Sequence, residues 1–383
     1  MTGFHGAIHV FCRVVDNFGD IGVCWRLARQ LANGYGAAVT LWVDDLHSFG
    51  RICRALDPGA DRQFQSGVEV RRWPDRWPDE EPGATAGLVI EAFGCELPAG
   101  YIAAMAAREP RPAWINLEYL SAESWVEDCH GMPSHYPSLP LIKYFFFPGF
   151  TPATGALILE PGLLAARDAF QRAPAASAAF LQRIGARGPR DARRISLFCY
   201  PDAPAASLFD VMAGAASPTI CHVPHGVARP AVEAFLGQPA EPGACATRGS
   251  LTLQVLPFLD QADYDRLLWS CDINFVRGED SMVRAQWAGR PFVWHIYPQQ
   301  DAAHETKLEA FLDRYTAAMA PEAAQAVREA WLHWNRGGDM AAAWDRFCAS
   351  LPAVQAHSPQ WVAGLAANGD LAGNLLRFTE NIG

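Results

Sequence analysis

Between residues 273 and 297 the apolar run Ile-Asn-Phe-Val breaks at Arg277-Gly278. A short turn follows, carrying two acids and a serine. A helical pattern then runs to Gly289 and Pro291, and a second apolar run begins. Glycine ends a helix readily and proline cannot continue one, so strand, turn, helix, Gly-x-Pro, strand describes an α/β domain. The same arrangement presents a helix N-terminus. Its unpaired N–H groups and dipole suit an anion such as a nucleotide's phosphates.

The rest of the chain repeats this alternation. Apolar strands are expected at residues 8–15, 38–43, 68–73, 88–93, 114–120 and 144–147. Helices are expected at 22–33, with Gly34 as the stop, and at 48–56 and 101–108. A second series expects strands at 194–200, 219–223, 251–256, 273–276 and 292–296, with helices at 205–215 and 264–271. Near-continuous apolar strands separated by helices indicate parallel sheets covered on both faces. Residues 165–194, rich in Ala, Arg, Gly and Pro, read as helix and then loose chain, and mark a domain junction. The expected division is 1–165, 166–360 and a C-terminal helix at 361–383 that crosses back to the first domain. Residues 238–249 read as a surface loop.

With 383 residues, half of them hydrophobic and 19% charged, the chain has material for two sizeable cores. A net charge of −10 opposes a nucleic-acid surface, which needs clustered Lys and Arg. The ten cysteines include no Cys-x-x-Cys pair, so reduced thiols in a cytoplasmic protein are expected. Neither a signal peptide nor an apolar run long enough for a membrane span is evident.

Two clusters carry the candidate chemistry. Asp16-Asn17-Phe18-Gly19-Asp20-Ile21-Gly22 follows the first strand. Its glycines permit close backbone approach, yet no Gly-x-Gly-x-x-Gly is present, and two carboxylates would repel a pyrophosphate. They suit binding a cation or removing a proton. Alternatively, Asp20 caps the helix and Asp16 caps the turn.

In the second cluster, Arg277 to Ser281, the Ser281 hydroxyl and the nearby N–H groups could donate to phosphate oxygens. Arg277 could add a bidentate contact. Asp280 is a candidate N-cap. Glu279 could hold a cationic substrate or order Arg277; an ordinary capped helix is the competing reading.

Other signals are weaker. Phe258 could stack a base and Gln261 could bond its edge, with core packing the alternative for Phe258. Tyr200 ends a strand. His222-Val-Pro-His225 reads as a loop without a third ligand, so no metal is expected there. Asp44-Asp45 ends a strand and leaves a metal role open, though it lacks Asp-x-Asp spacing. There is no Gly-x-x-x-x-Gly-Lys loop and no Gly-x-Ser-x-Gly elbow.

The run Asp16-Asn-Phe-Gly-Asp20-Ile-Gly-Val-Cys-Trp-Arg-Leu-Ala-Arg-Gln-Leu resembles the N-terminal signature of the EarP family. The likeness recurs at Ile115-Asn-Leu-Glu-Tyr-Leu-Ser-Ala-Glu-Ser-Trp, at Lys143-Tyr-Phe-Phe-Phe-Pro-Gly-Phe, at Phe275-Val-Arg-Gly-Glu-Asp-Ser, and from Ala285 through Gln299. The resemblance implies a GT-B fold, two Rossmann-like domains facing a central cleft, with a helical tail. It implies an inverting, metal-independent transfer of L-rhamnose from dTDP-β-L-rhamnose to an arginine of translation elongation factor P, which activates that factor. No cofactor is implied.

By resemblance, Asp20 is the general base, with Asp16 and Glu279 also in the active site. Asn17, Phe18, Gly19, Tyr200, Phe258, Gln261, Arg277, Asp280 and Ser281 are substrate-binding. Competing readings are another GT-B transferase or epimerase, a non-catalytic elongation factor P-binding protein, and a nicotinamide-dependent dehydrogenase. The cleft acids disfavour the non-catalytic reading, and the missing dinucleotide fingerprint disfavours the dehydrogenase.

Overall fold

A computed structural model describes residues 6–16, 18–74, 77, 86–189, 191–299 and 303–382. The chain divides into two compact units, Met1–Pro161 with Leu365–Gly383, and Gly162–Gly364. The first unit begins with β1 (Ala7–Cys12), α1 (Gly19–Tyr35), β2 (Ala38–Val43), α2 (Leu46–Ile52), β3 (Arg62–Gln65), β4 (Val68–Arg72) and β5 (Ala86–Ala92). It continues through α3 (Ala99–Ala106), β6 (Ala113–Leu117), α4 (Trp125–Cys129), β7 (Pro133–His135) and β8 (Ile142–Phe146).

The second unit begins with α5 (Leu163–Gln171), α6 (Pro174–Arg183), β9 (Arg193–Leu197), α7 (Ala205–Gly214), β10 (Thr219–Pro224), α8 (Arg229–Leu236) and β11 (Cys245–Arg248). Then come β12 (Leu251–Leu256), α9 (Gln261–Ser270), β13 (Ile273–Arg277), α10 (Gly278–Ala288) and β14 (Phe292–His295). The remainder is helical: α11 (Ala303–Thr316), α12 (Pro321–Asn335), α13 (Ala341–Ala367) and α14 (Leu371–Ile382).

The eight-stranded sheet has the order β3-β4-β2-β1-β5-β6-β8-β7, and the six-stranded sheet the order β11-β12-β10-β9-β13-β14. Among the described residues, only β3, β7 and β11, all edge strands, pair antiparallel. Without those edges, each sheet runs outward in one direction from its first strand and then in the other. The reversal falls between β1 and β5 in one sheet and between β9 and β13 in the other. In open α/β sheets ligands bind beyond the strand carboxyl ends at such a reversal.

Apolar strand positions account for the cores. Ile8, Val10, Leu41 and Leu88 are buried in the first sheet, and Phe11, Trp42, Trp77, Tyr101 and Trp114 build an aromatic cluster. Phe11 lies against Trp42 with ring centroids 5.9 Å apart, and Trp42 against Trp77 at 4.8 Å. In the second unit Phe275 meets Trp334, and Phe292 meets Trp331 and Tyr315. The C-terminal helix α14 docks on α1, where the Tyr35 hydroxyl and Gln30 Nε2 donate to Asp370 at 2.7 Å each.

Several boundaries differ from the sequence reading. α1 runs through Gly34 and ends at Gly36, whose φ of 71° is the left-handed geometry that suits glycine. The expected loop at 238–249 contains strand β11. His222 is not in a loop but on β10, fully buried, facing Ser196 and Gln254 across the sheet. α4, α8, β3 and β7 had no counterpart in the sequence reading. Their short or polar sequences carry little periodic signal.

Candidate active site

The residues after β1 form one candidate cluster, in the first unit. Gly19 N–H donates to the Asp16 carbonyl at 2.6 Å, closing a tight turn into α1. A Cβ on Gly19 would come within 2.6 Å of Asp16 Oδ2, so glycine leaves room for that carboxylate. Phe18, not Asp20, occupies the N-cap position, without a side-chain cap bond. Asp20 is the second helical residue and only 2% exposed. Its Oδ2 accepts the backbone N–H groups of Val15 and Asp16, each at 2.8 Å, and its Oδ1 lies 3.3 Å from the Tyr119 hydroxyl. The helix-capping role of Asp20 is therefore not seen. The helix instead carries Asp20 back toward the loop it left, and the two acids are joined through the Asp16 N–H. Asn17 lies outside the described residues.

The strand ends beside β1 complete this cluster. Phe93 directly follows β5 and Tyr119 lies just beyond β6. Their rings stack with centroids 4.4 Å apart and planes 15° apart. The sequence reading assigned neither a role. Tyr119 could have been suspected only from its place beyond a strand next to the reversal. Asp44 and Asp45 are accounted for locally. Asp44 Oδ1 accepts from Val14 N–H at 2.9 Å, and Asp45 caps α2 by accepting from His47 and Ser48.

The second unit carries its own cluster, at the β9–β13 reversal. Arg277, the last residue of β13, has its guanidinium carbon 4.3 Å from the Phe198 ring centre and 4.8 Å from that of Tyr200. Its Nη1 donates to the Cys199 carbonyl at 3.0 Å. Cation–π contact on two rings fixes the plane of the guanidinium. Tyr200 N–H donates to His295 Nδ1 at 3.2 Å, and burial lowers the pKa of His295 to about 4, so the neutral ring can accept there.

α10 starts at Gly278, directly after Arg277, which is its N-cap. Asp280 is thus the third helical residue rather than the cap, and Glu279 the second, half-buried. The Ser281 hydroxyl turns inward. It accepts Arg277 N–H at 3.2 Å and donates to the Arg277 carbonyl. By helix geometry the donors left at this end are first-turn backbone N–H groups. Gln261 opens α9 and its Nε2 donates to Asp280 Oδ2 at 3.2 Å, which brings those two expected residues together. Phe258 is half-buried just beyond β12. Beneath this end, Arg284 Nε and Nη2 donate to Asp265 at 3.0 and 2.7 Å, pinning α10 to α9.

Among the described residues, no group of three or more His, Cys, Asp or Glu is placed to hold a metal ion. His225 lies 3.7 Å from Glu241 and His222 is in the core. No described helix is long and apolar enough to cross a membrane.

Two parallel α/β units, each with polar residues at its strand reversal, and a helical C-terminal segment have the GT-B fold seen in glycosyltransferases. A solved glycosyltransferase from Rickettsia africae shares this fold, with a TM-score of 0.51 at 9% identity over 100% of this chain and 98% of that one. Residues 8–380 match the family model described as Elongation-Factor P (EF-P) rhamnosyltransferase EarP, and the chain belongs to that family. It is a protein-arginine rhamnosyltransferase by class.

A protein-arginine rhamnosyltransferase from Pseudomonas putida is 51% identical over 97% of this chain and 98% of its own length. The solved structure described as "Structural basis for EarP-mediated arginine glycosylation of translation elongation factor EF-P" superposes with a TM-score of 0.71. It is 38% identical over 98% of this chain and 99% of that one.

Proposed function

We propose that this chain transfers L-rhamnose from dTDP-β-L-rhamnose to an arginine side chain of translation elongation factor P, with inversion at C1 and without a metal ion. The observation that carries the reading is the buried Asp20 carboxylate, held by two backbone amides at the end of β1. An arginine acceptor is a poor nucleophile, because its guanidinium stays protonated and its lone pairs are delocalised. Acids at the acceptor, Asp16 and Asp20 with Glu279, hold the cation and localise its charge away from the attacking nitrogen. Asp20 takes the proton as the nitrogen bonds to C1.

The sugar–oxygen bond breaks as this happens, and its electron pair leaves on the diphosphate. Arg277 and the N-terminus of α10 stabilise that charge in the role a metal ion fills elsewhere. Tyr200, Phe258 and Gln261 hold the nucleotide, with Asp280 orienting Gln261. Asn17, Phe18 and Gly19 take part in substrate binding. A translation factor as acceptor places the reaction in the cytoplasm, in keeping with ten free cysteines.

The test is transfer to purified elongation factor P from dTDP-β-L-rhamnose in the presence of a chelator, with the product's anomeric configuration read by NMR. An α-linked rhamnosyl-arginine supports the reading. A β-linked product overturns inversion, and loss of activity with the chelator overturns metal independence.

A further inference from the structure

We propose that Tyr119 is the positioning residue of Asp20, and that Asp20 Oδ1 is the oxygen that receives the proton. The proposal rests on the reading of Asp20 as the base. The two carboxylate oxygens are not equivalent. Oδ2 accepts two backbone N–H groups at 2.8 Å, both from the loop that follows β1. Among the described residues, Oδ1 faces the Tyr119 hydroxyl, at 3.3 Å. With one such partner against two on Oδ2, Oδ1 keeps acceptor capacity that Oδ2 has already used.

Tyr119 is itself held from several sides. Its ring stacks on Phe93, whose φ of 57° is rare for a bulky residue and signals a position fixed by its surroundings. Phe93 N–H donates to the Leu117 carbonyl at 2.7 Å, and the next residue, Gly94, donates to Asn116 Oδ1 at 3.2 Å. Asn116 Nδ2 in turn donates to Glu118, whose N–H reaches the Phe146 carbonyl at 2.9 Å. Strands β5, β6 and β8 thus converge on the loop that carries Tyr119. An unfavourable backbone kept at Phe93 places one aromatic ring behind one hydroxyl.

A hydroxyl both donates and accepts, which suits this place. With Asp20 ionised, the Tyr119 O–H points to Oδ1. As the acceptor nitrogen bonds to C1 and the diphosphate departs with the C1–O pair, the nitrogen's proton passes to Oδ1. The protonated oxygen can then donate to the Tyr119 oxygen. The carboxyl stays oriented through both states, and tyrosine gains or loses no proton.

The experiment compares wild type, Tyr119→Phe and Phe93→Leu in transfer from dTDP-rhamnose to elongation factor P, with dTDP binding followed by calorimetry. Wild type must transfer; if it does not, the arginine-transfer reading itself fails, and this proposal with it. Loss of the hydroxyl lowers kcat about tenfold, the scale of one hydrogen bond to a charged group, while the KM for donor and the dTDP affinity stay unchanged. Phe93→Leu, which keeps the hydroxyl but removes the stacked ring, lowers kcat with the same unchanged donor KM. Wild-type kcat in both variants, or a rise in donor KM at unchanged kcat, overturns the proposal.

Discussion

The backbone N–H of Asp16 donates to the carboxylate of Asp20 at 2.8 Å, so the first acid of the acceptor turn fixes the second. Asparagine at position 20 keeps a carbonyl oxygen that can accept the same N–H groups. Asp20→Asn should therefore fold and bind dTDP as wild type does. Its transfer rate should fall by a factor of about 10² to 10⁴, the usual contribution of a positioned base. Single-turnover kinetics beside a dTDP titration checks this, and wild-type turnover would remove the base assignment.

Arg277 lies between Phe198 and Tyr200, whereas the Ser281 hydroxyl is spent on the Arg277 backbone. The two residues should therefore contribute unequally to nucleotide binding. Arg277→Ala should weaken dTDP binding about tenfold or more, as loss of a charge-assisted phosphate contact does. Arg277→Lys should restore little, because an ammonium cannot stack as a plane. Ser281→Ala should weaken binding less than Arg277→Ala. Titration calorimetry gives the ranking, and a larger loss at Ser281 would contradict it.

Arg284 and Asp265 are 2% and 7% exposed at their side chains and share two hydrogen bonds. Removing the charge of one partner leaves the other's buried charge without that compensation. Asp265→Asn should destabilise the second unit by about 3 to 5 kcal/mol, read from urea unfolding. A change under about 1 kcal/mol, the range of an exposed pair, would show that the pair does not hold α9 to α10.

His222 is fully buried, and neither ring nitrogen has a hydrogen-bond partner. Burial, helped by Arg194, lowers its pKa from 6.5 to about 3. On acidification the unfolded chain takes up this proton first. Stability is therefore lost as pH falls from about 6.5 toward 3, and is unaffected above that range. By pH 4.5 the loss from this residue is about 3 kcal/mol at roughly 1.4 kcal/mol per unit. His222→Leu should be neutral or stabilising at pH 7, because it removes an unsatisfied buried polar group. It should gain further on wild type at pH 4.5. Urea midpoints at the two pH values measure this, and an equal difference at both would contradict it.

Much of the fold was legible because the central strands are covered on both faces. Residues 38–43 and 251–256 read directly as apolar runs, and Gly289 marks the end of α10 with a φ of 63°. The edge strands Arg62–Gln65, Pro133–His135 and Cys245–Arg248 were not legible. They are short, polar and largely exposed, and only their antiparallel neighbours make them strands. A capping role competed for Asp20 because acids favour that position. The bonds from Val15 and Asp16 that turn it inward depend on the path of the chain after β1.

The candidate clusters at 16–20 and 277–281 stood out through residue type alone. The Asp20–Tyr119 relationship spans 99 residues and exists only because β1, β5 and β6 are neighbours in the sheet. Pairing of Gln261 with Asp280 is likewise a product of packing α9 against α10. Residue patterns alone indicated a cationic acceptor and an anionic donor. Rhamnose and elongation factor P entered through family resemblance.

The most direct measurement is the intact mass of purified elongation factor P after incubation with this protein and dTDP-β-L-rhamnose, with the Asp20→Asn variant in parallel. The account predicts a gain of one deoxyhexose, located on an arginine by fragmentation, with wild type and not with the variant. No mass change with folded components, or a sugar on another side chain, would contradict it.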